Sequence, residues 1–363
     1  TIFLYPLIQD KIMALNPHNK SKKQAKQRRG ILSKLQVKTR YPLKSPPKRK
    51  KMPFNSSSKQ SSRLPSPRIS IMMTSCREPS LRQAIEAIVS QHIAHPYEVI
   101  IVSPDEEAQT IAFYYHNRNK PVRFVKDQGI GKAAAINQAL KEIKGDIIIF
   151  TDGDVKILPH AINNLVAPFN NPKIGCVSGR VISANLKNNM FGFWSHLLAD
   201  AGAHRIRKER AEKKQLLECT GYLFACRNHV IREIPLDVAE DTIIPYLFKE
   251  KGYDIAYAED AKVLVKNPTT WQDWLKQRMR TAKAHETLKK YVDTEKTPRM
   301  KSFINEIQKG TMLAWSYPQT FKEYLWTLLL FAARLYMWLL VFIETRIAKH
   351  HYADKWERIP TAR

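Results

Sequence analysis

The sequence predicts an α/β fold in which helices flank a mainly parallel sheet, and a membrane-associated helical segment follows at the C-terminal end. Two observations carry this prediction. From Arg68 onward, short apolar runs alternate with segments of helical length, which is typical of βαβ units. Residues 324–343 then form an apolar stretch that is long enough to cross a bilayer. With 363 residues and 44% hydrophobic content, the chain can hold one large domain with appendages.

Strands and helices are predicted to alternate through the first half of this domain. Strands are expected at 69–74, 97–103, 122–125 and 146–151, and helices at 80–91, 106–116 and 132–143. In the second half, helices are expected at 159–169, 241–251 and 271–291, and strands at 174–182 and 215–225. Open α/β sheets bind ligands beyond the carboxyl ends of their strands, so we expect the functional site there.

The fourth strand contains an apolar run, 147–150, that leads into two carboxylates, Asp152 and Asp154. Alternate residues of an extended segment point the same way, and Gly153 between them lets the backbone approach a ligand closely. Mg²⁺ and Mn²⁺ prefer oxygen ligands, and Mg²⁺ usually keeps substrate phosphates in its shell. The pair is therefore predicted to hold Mg²⁺ or Mn²⁺, with a solvated Asp-Gly-Asp turn as the alternative.

The first 66 residues are predicted to form a disordered basic tail. Residues 1–68 contain 18 Lys and Arg against one acid, Asp10, and so hold most of the net charge of +27. Pro and Ser clusters with few apolar anchors cannot offset the entropy of ordering this segment. Such a tail suits an anionic membrane surface better than nucleic acid, and a solubilising role is the alternative. The opening residues, 1–12, are too short and too poorly flanked for a signal peptide, and Met13 is the expected start.

Four cysteines, Cys76, Cys176, Cys219 and Cys226, show neither the paired spacing of a zinc site nor the density of a disulfide scaffold. They are expected to be reduced core residues. The sequence shows no internal repeat.

Three motifs lie at strand ends or a helix start in the first half, and the last of them suits a phosphate-bearing ligand by its own residues. The first strand lies in Arg68-Ile-Ser-Ile-Met-Met-Thr-Ser-Cys-Arg-Glu-Pro79, and the second ends in Ser103-Pro104-Asp105. Gly129-Ile-Gly-Lys-Ala-Ala-Ala-Ile-Asn137 opens a helix, where backbone N–H groups and Lys132 suit a diphosphate. A glycine turn with a surface lysine is the alternative for this last motif.

Two motifs in the second half place charged or polar side chains on helices. Glu240-Asp241 begins a helix, where two carboxylates either do chemistry or only cap the helix and complement its dipole. In Gln277-Arg-Met-Arg280, the outer two residues share one helix face, where they suit an acceptor sugar and a diphosphate. A solvated basic helix is the alternative.

In this order, the motifs resemble those of family 2 inverting glycosyltransferases, related to cellulose, hyaluronan and poly-N-acetylglucosamine synthases. The resemblance covers about residues 67–286 and implies the GT-A fold, a Rossmann-like sheet. It implies a metal-dependent hexosyltransferase that holds Mg²⁺ or Mn²⁺ on Asp152 and Asp154 and uses Asp241 as the catalytic base. The implied nucleotide-sugar ligands are Ser75, Glu78, Asp105, Lys132 and Asp152. The implied acceptor and diphosphate ligands are Glu240, Gln277, Arg278 and Arg280.

The resemblance also implies a single displacement with inversion at the anomeric carbon. Asp241 would take the proton of the acceptor hydroxyl while the metal neutralises the leaving nucleoside diphosphate. The implied donor is a UDP-sugar, and the implied acceptor is a lipid-linked or glycan molecule. Thr281 stands where processive synthases carry a tryptophan, which removes a stacking platform for the acceptor sugar.

Residues 324–343 are apolar apart from Thr327 and Arg334, with aromatic residues near both ends, which favours a transmembrane helix. A buried or interfacial helix is the alternative, and 303–317 is expected to be amphipathic and to lie on the membrane. We therefore expect a tail at 1–66, a GT-A domain at 67–296 on the cytoplasmic side of the cell membrane, and a membrane-associated helical region at 297–363.

Two other functions compete with glycosyl transfer. A sugar nucleotidyltransferase shares the sheet and the metal, but it needs an early glycine-rich loop, and 74–77 contains no glycine. A non-catalytic polyanion-binding protein on a degenerate transferase core would fit the basic charge. The motifs at 129–137, 152–154, 240–241 and 277–280 all occur in the order found in the glycosyltransferases, which favours glycosyl transfer.

Overall fold

The structure is a computed structural model that describes residues 68–293 and 311–348, together with Trp356 and 359–362. The predicted basic tail, 1–66, lies outside the described residues, as does most of the predicted amphipathic segment 303–317. The proposed division into three regions therefore stays a prediction.

The described residues form one eight-stranded sheet. Its strands are Ile69–Thr74 (β1), Tyr97–Ser103 (β2), Val122–Lys126 (β3), Ile147–Asp152 (β4), Val155–Ile157 (β5), Ile174–Ser183 (β6), Leu223–Arg227 (β7) and Asp254–Val265 (β8). They lie in the order β3-β2-β1-β4-β7-β6-β8-β5. β1 pairs in parallel with β2 and β4, β2 with β3, and β6 with β8, whereas β7 and β5 run antiparallel to their neighbours. The predicted mainly parallel sheet is confirmed.

Helices cover both faces of this sheet. They are Leu81–Val89 (α1), Glu106–His116 (α2), Lys132–Leu140 (α3), Ala161–Val166 (α4), Met190–Leu197 (α5), Arg205–Glu212 (α6), Glu240–Glu250 (α7), Trp271–Thr287 (α8), Thr311–Trp315 (α9) and Phe321–Phe342 (α10). A π-helical segment, Leu198–His204, joins α5 to α6, and another, Ile343–Ile347, extends α10. Short 3₁₀ turns follow α4 (Ala167–Asn170) and α8 (Leu288–Lys290), and a third lies at Pro360–Ala362.

The central strands β1, β2 and β4 consist mainly of apolar residues because both of their faces are buried, and their polar residues Ser70 and Glu98 are buried as well. In β1, Ile71 and Met73 belong to the core that contains residues of α1, α2 and α4, whereas Met72 belongs to the core that contains residues of α3 and α7. Cys176, Cys219 and Cys226 are buried core residues outside any disulfide, as predicted, whereas Cys76, also outside any disulfide, is half-buried.

The predicted strand at 215–225 is wrong over most of its length, because β7 begins only at Leu223. Side chains from α6 take the place of a neighbouring strand there. Arg210 Nε donates to the carbonyl of Leu216 at 2.6 Å, and Arg207 donates to the carbonyls of Glu218 and Cys219. Backbone groups that are satisfied by side chains need no ladder partner, so a strand-like sequence stays irregular.

The sequence analysis did not predict β5 and β8. In β8, Glu259 and Asp260 interrupt the apolar alternation that marks a strand. The strand forms nevertheless, because β6 pairs with 254–257 and with 262–265, on either side of these two residues, with two register shifts.

Helix α10 packs against the rest of the described chain with one face only. Its buried residues are Thr327, Leu330, Ala333, Met337 and Val341, and the backbone of Trp326 accepts a hydrogen bond from Trp194 Nε1 at 2.6 Å. The rest of its surface exposes large apolar side chains, including Phe321, Leu325, Leu328, Leu335, Leu339 and Phe342. In the described part of the chain, the helix Phe321–Ile347 alone is long and apolar enough to cross a membrane, and 28% of its most apolar stretch is buried.

Candidate active site

The ends of β1 and β4 form the middle of the site. Thr74 and Asp152 are neighbours across the two strands, and Thr74 Oγ1 donates to Asp152 Oδ1 at 2.8 Å. Ser75, the next residue, is buried, and its hydroxyl has no hydrogen-bond partner among the described residues. A Cβ atom at Gly153 would lie only 3.0 Å from this hydroxyl oxygen. A side chain at position 153 would therefore fit only if Ser75 and Leu81 moved by a few tenths of an ångström.

Lys132 connects this strand end to the opposite wall of the site. It is the first residue of α3, and its Nζ lies 2.7 Å from Asp152 Oδ1 and 2.6 Å from Glu240 Oε1. Burial alone would lower the pKa of Lys132, but the charges of Asp152 and Glu240 raise it well above its ordinary value. The ammonium group therefore stays charged between a carboxylate of β4 and a carboxylate of α7.

Glu240 and Asp241 lie in the first turn of α7, where the helix dipole favours negative charge. Glu240 is buried, and this burial, together with the nearby charges of Asp241 and Asp152, raises its pKa to about 7 against the opposing effect of Lys132. A Cβ atom at Gly221 would lie 3.4 Å from Asp241 Oδ2 and 3.6 Å from Glu240 Oε1. The backbone at Gly221 thus passes directly beside both carboxylates.

We call Gly221 and its neighbours 218–222 the acceptor-side segment. Its last residue, Tyr222, was missed by the sequence analysis. Burial mainly raises the pKa of Tyr222, and the charges of Asp154, Arg278, Arg280 and Asp152 also act on it. The structure therefore brings four of the predicted site residues within electrostatic reach of one tyrosine ring.

Gln277 lies on α8, beside Arg278 and within the same helix as Arg280. Its side chain is almost fully buried. Thr281, which stands at the position of the expected tryptophan, donates its hydroxyl to the Gln277 carbonyl at 3.0 Å. Thr281 is therefore engaged within its own helix.

Asp105 and Glu78 hold the loop between β1 and α1. Asp105 Oδ2 accepts from the backbone N–H of Arg77 and from Ser103 Oγ, and Arg77 has the left-handed φ of 49°. Glu78 Oε1 accepts from the hydroxyl of Ser80 at 2.7 Å, just before α1 begins. Asp105 also borders an open cleft of about 590 Å³, lined by Arg77, Pro79, Pro104, Asp105, Glu106, Glu107 and Lys126. These two predicted ligands thus shape the loop next to a cleft.

Residues near the end of the chain contact two elements that lead into the site, which the sequence analysis did not anticipate. Trp356 Nε1 donates to Asp127 Oδ2 at 3.2 Å, just before the Gly129-Ile-Gly131 turn that leads into Lys132. Thr361 donates its hydroxyl to Asp273 Oδ2 at 2.7 Å, near the start of α8. No local pattern signals contacts between residues so far apart in the chain.

The donor set at β4 fits a divalent metal that is shared with a substrate. No three His, Cys, Asp or Glu side chains of the described residues converge as a self-sufficient metal cluster. Mg²⁺, however, usually takes one or two carboxylates and completes its shell with phosphate oxygens and water. Asp152 and Asp154, separated by one glycine at a strand end, supply such a pair.

Residues 67–284, more than half of the chain, match the sequence model of the family described as "Glycosyltransferase like family 2". Similar curated proteins include a probable glycosyltransferase, YdaM, of Bacillus subtilis (24% identity, covering 61% of this chain and 56% of YdaM). An N-acetylglucosaminyltransferase of Azorhizobium caulinodans is 22% identical (66% and 64% covered). A poly-beta-1,6-N-acetyl-D-glucosamine synthase of Staphylococcus aureus is 24% identical (65% and 60% covered). The matches span only 56 to 64% of the length of these relatives.

Among solved structures, a mannosyltransferase of Pyrobaculum calidifontis in complex with GDP-Man and Mn²⁺ superposes with a TM-score of 0.49 and 17% identity. The superposition covers 78% of this chain and 81% of the mannosyltransferase.

Proposed function

The chain belongs to the family 2-like glycosyltransferases, and from this premise we propose that it is an inverting, metal-dependent glycosyltransferase. It would move a sugar from a nucleoside-diphosphate sugar to a lipid-linked or glycan acceptor. The observation that carries the proposal is the contact from Asp152 through Lys132 to Glu240. The end of β4 would hold the donor, and the start of α7 would bind the acceptor. Lys132, which suits a diphosphate, contacts a carboxyl group of each.

We define the donor half of the site as the ends of β1, β2 and β4 with the start of α3. The proposed nucleotide-sugar ligands Ser75, Glu78, Asp105, Lys132 and Asp152 all lie there. The unpartnered buried hydroxyl of Ser75 and the cleft beside Asp105 support this placement. A UDP-sugar is the proposed donor, and UDP-N-acetylglucosamine is the first one to test, since two of the relatives are named as N-acetylglucosamine enzymes.

Asp152 and Asp154 would hold Mg²⁺ or Mn²⁺ together with the diphosphate. When bound, the ion supplies positive charge that stabilises the leaving nucleoside diphosphate. Lys132 supplies a second positive charge from the protein itself, and it needs only to exchange Glu240 or Asp152 for a phosphate oxygen.

The acceptor half is the acceptor-side segment with the start of α7. Asp241 would accept the proton of the acceptor hydroxyl while that oxygen attacks the anomeric carbon and the bond from this carbon to the phosphate oxygen breaks. Glu240 would bind the acceptor from the neighbouring position, and Gln277, Arg278 and Arg280 of α8 would hold the acceptor or the diphosphate. One displacement inverts the anomeric configuration.

The function is tested with the detergent-purified full chain, Mn²⁺ and a panel of UDP- and GDP-sugars. We expect release of the nucleoside diphosphate from one of these donors, and no pyrophosphate from a nucleoside triphosphate with a sugar 1-phosphate. Pyrophosphate release would instead identify a sugar nucleotidyltransferase. The absence of both reactions, with tight binding of polyanions, would identify a non-catalytic binding protein.

We also propose that α10 attaches the catalytic domain to the cytoplasmic face of the cell membrane. Its exposed apolar side chains are the support, and the basic tail would add salt-sensitive attraction to anionic lipids. Deletion of 1–66 should leave the protein in the membrane fraction at high salt, because apolar burial is not screened. Truncation after Ser316 should make the remaining attachment salt-sensitive. Release of the full chain by salt alone would contradict this proposal.

A further inference from the structure

We infer that Arg207 is a positioning residue for glycosyl transfer, which acts from α6 on Asp241 through the acceptor-side segment. The inference rests on the proposed function, because it concerns the placement of the proposed base. Arg207 is the one buried residue of α6, a helix that the structure describes in full, and it is only 4% exposed. Burial of a charge is costly unless polar partners surround it, so Arg207 requires polar partners.

Arg207 binds two backbone carbonyls of the acceptor-side segment. Its Nε donates to the carbonyl of Glu218 at 2.9 Å, and its Nη2 donates to the carbonyl of Cys219 at 3.0 Å. The rigid fork of a guanidinium group suits two acceptors held side by side, whereas an ammonium group is a single point charge on a flexible stem. Arg207 therefore fixes two successive peptide groups of a segment that has no ladder of its own.

Hydrogen bonds from 219–222 connect the acceptor-side segment to the elements of the site. The N–H of Cys219 donates to the carbonyl of Asp241 at 3.1 Å, and the N–H of Thr220 donates to Ser178 Oγ of β6 at 3.1 Å. The carbonyl of Tyr222 accepts from Thr151 Oγ1 of β4 at 3.0 Å. The segment is thus tied to α6, α7, β6 and β4 within five residues, with Gly221 beside the Asp241 carboxylate.

Loss of the two Arg207 hydrogen bonds should therefore move the acceptor-side segment relative to the Asp241 carboxylate and leave the donor half in place. Carbonyls that lose their donors will seek other partners, and the segment will shift relative to α7. Small displacements around a reacting group have large kinetic costs, whereas Asp152 ends a paired strand, Ser75 follows one, and Lys132 begins α3.

α6 offers a matched control in Arg210. Its Nε also donates to a backbone carbonyl, that of Leu216, at 2.6 Å, two residues before the acceptor-side segment begins. Arg210→Lys makes the same chemical change on the same helix. It should leave turnover within about twofold of the parent, because the Leu216 peptide group touches neither α7 nor β4 in the described hydrogen bonds.

The experiment uses the full chain, Mn²⁺ and UDP-N-acetylglucosamine with water as the acceptor, and it measures UDP release and, by calorimetry, UDP affinity. Arg207→Lys should lower turnover by about 10 to 100-fold while UDP affinity stays within about twofold. In an Asp241→Asn background, Arg207→Lys should cost no further turnover, because both changes act on one step. A merely structural arginine would instead give additive losses.

Three results would overturn the inference: parental turnover in Arg207→Lys, a parallel loss of UDP affinity, or additivity in the double variant. Should Arg207→Lys fail to fold, Ser178→Ala tests the same segment from β6, and parental turnover in that variant would then overturn it. An unmodified protein that releases no nucleotide from any donor would refute the proposed function instead, so the two failures are distinguishable.

Discussion

The donor half and the acceptor half of the site are held in place by different kinds of structure. In the donor half, Thr74 and Asp152 end two paired strands, and their positions follow from a continuous ladder. In the acceptor half, Asp241 lies against an irregular segment that is held by the side chains of Arg207, Ser178 and Thr151. In a strand ladder, many backbone hydrogen bonds fix the position of each residue. A segment that is held by a few side chains loses its position when one of those side chains is changed. Distant substitutions should therefore disturb proton transfer more readily than donor binding.

The largest expected effect separates the two halves directly. Asp241→Asn should lower turnover by about 10²- to 10⁴-fold, the usual contribution of a general base, and leave UDP affinity within a few-fold. Kinetics of UDP release and calorimetry with UDP and Mn²⁺ measure both quantities. Asp237, a half-buried carboxylate four residues earlier in the chain and paired with Lys290, provides the control variant Asp237→Asn. Equal losses of turnover and affinity in Asp241→Asn would show that the two halves are not separable.

The next effect belongs to the donor half alone. Asp154→Asn should weaken the Mn²⁺-dependent binding of UDP by about tenfold or more, because one charged oxygen ligand is lost. Asp146 precedes the same strand at its opposite end, where it accepts from the Arg68 N–H, so Asp146→Asn is the matched control and should bind UDP normally. Calorimetric titrations with and without Mn²⁺ decide this point. An unchanged affinity for UDP in Asp154→Asn would contradict the proposal that Asp154 binds the metal.

A smaller effect concerns the junction between the halves, where Glu240 meets Lys132. The pKa of Glu240 is raised to about 7, above its ordinary value of 4.5. Between these values the folded state holds a proton that the unfolded state has released, so stability should fall as pH rises from about 4.5 to 7. The loss is on the order of 3 kcal/mol at most. Urea unfolding at pH 5 and pH 7.5 should show this slope in the parent and a flatter one in Glu240→Gln.

If Glu240→Gln keeps the full slope, the pH dependence belongs to another group. The neighbouring Lys132 does not contribute in this range, because a lysine with a raised pKa is charged in both states below pH 10.

The same contrast explains how far the sequence could predict the molecule. β1, β2 and α2 have the predicted bounds, because buried parallel strands are continuous apolar runs and α2 follows one directly. Asp152 and Lys132 could be found because they stand beside such elements. The acceptor-side segment resembled a strand, and only the distant arginines of α6 show why it is not one.

Long-range contacts set the limit on that prediction. Lys132 contacts Glu240, and Trp356 contacts Asp127. These residues are far apart in the chain, so no local sequence pattern predicts either contact. The position of Tyr222 among four charged side chains also gave no signal in the sequence, because those side chains come from other parts of the chain.

The most direct test of the single displacement with Asp241 as base is the configuration of the first sugar released. With UDP-N-acetylglucosamine, whose sugar is α-linked, and water as the acceptor, proton NMR recorded before mutarotation should show the β-anomer first. Inversion is expected because one carboxylate activates the attacking oxygen and the diphosphate leaves from the opposite face. An initial α-anomer would require two displacements or front-side attack and would contradict the account.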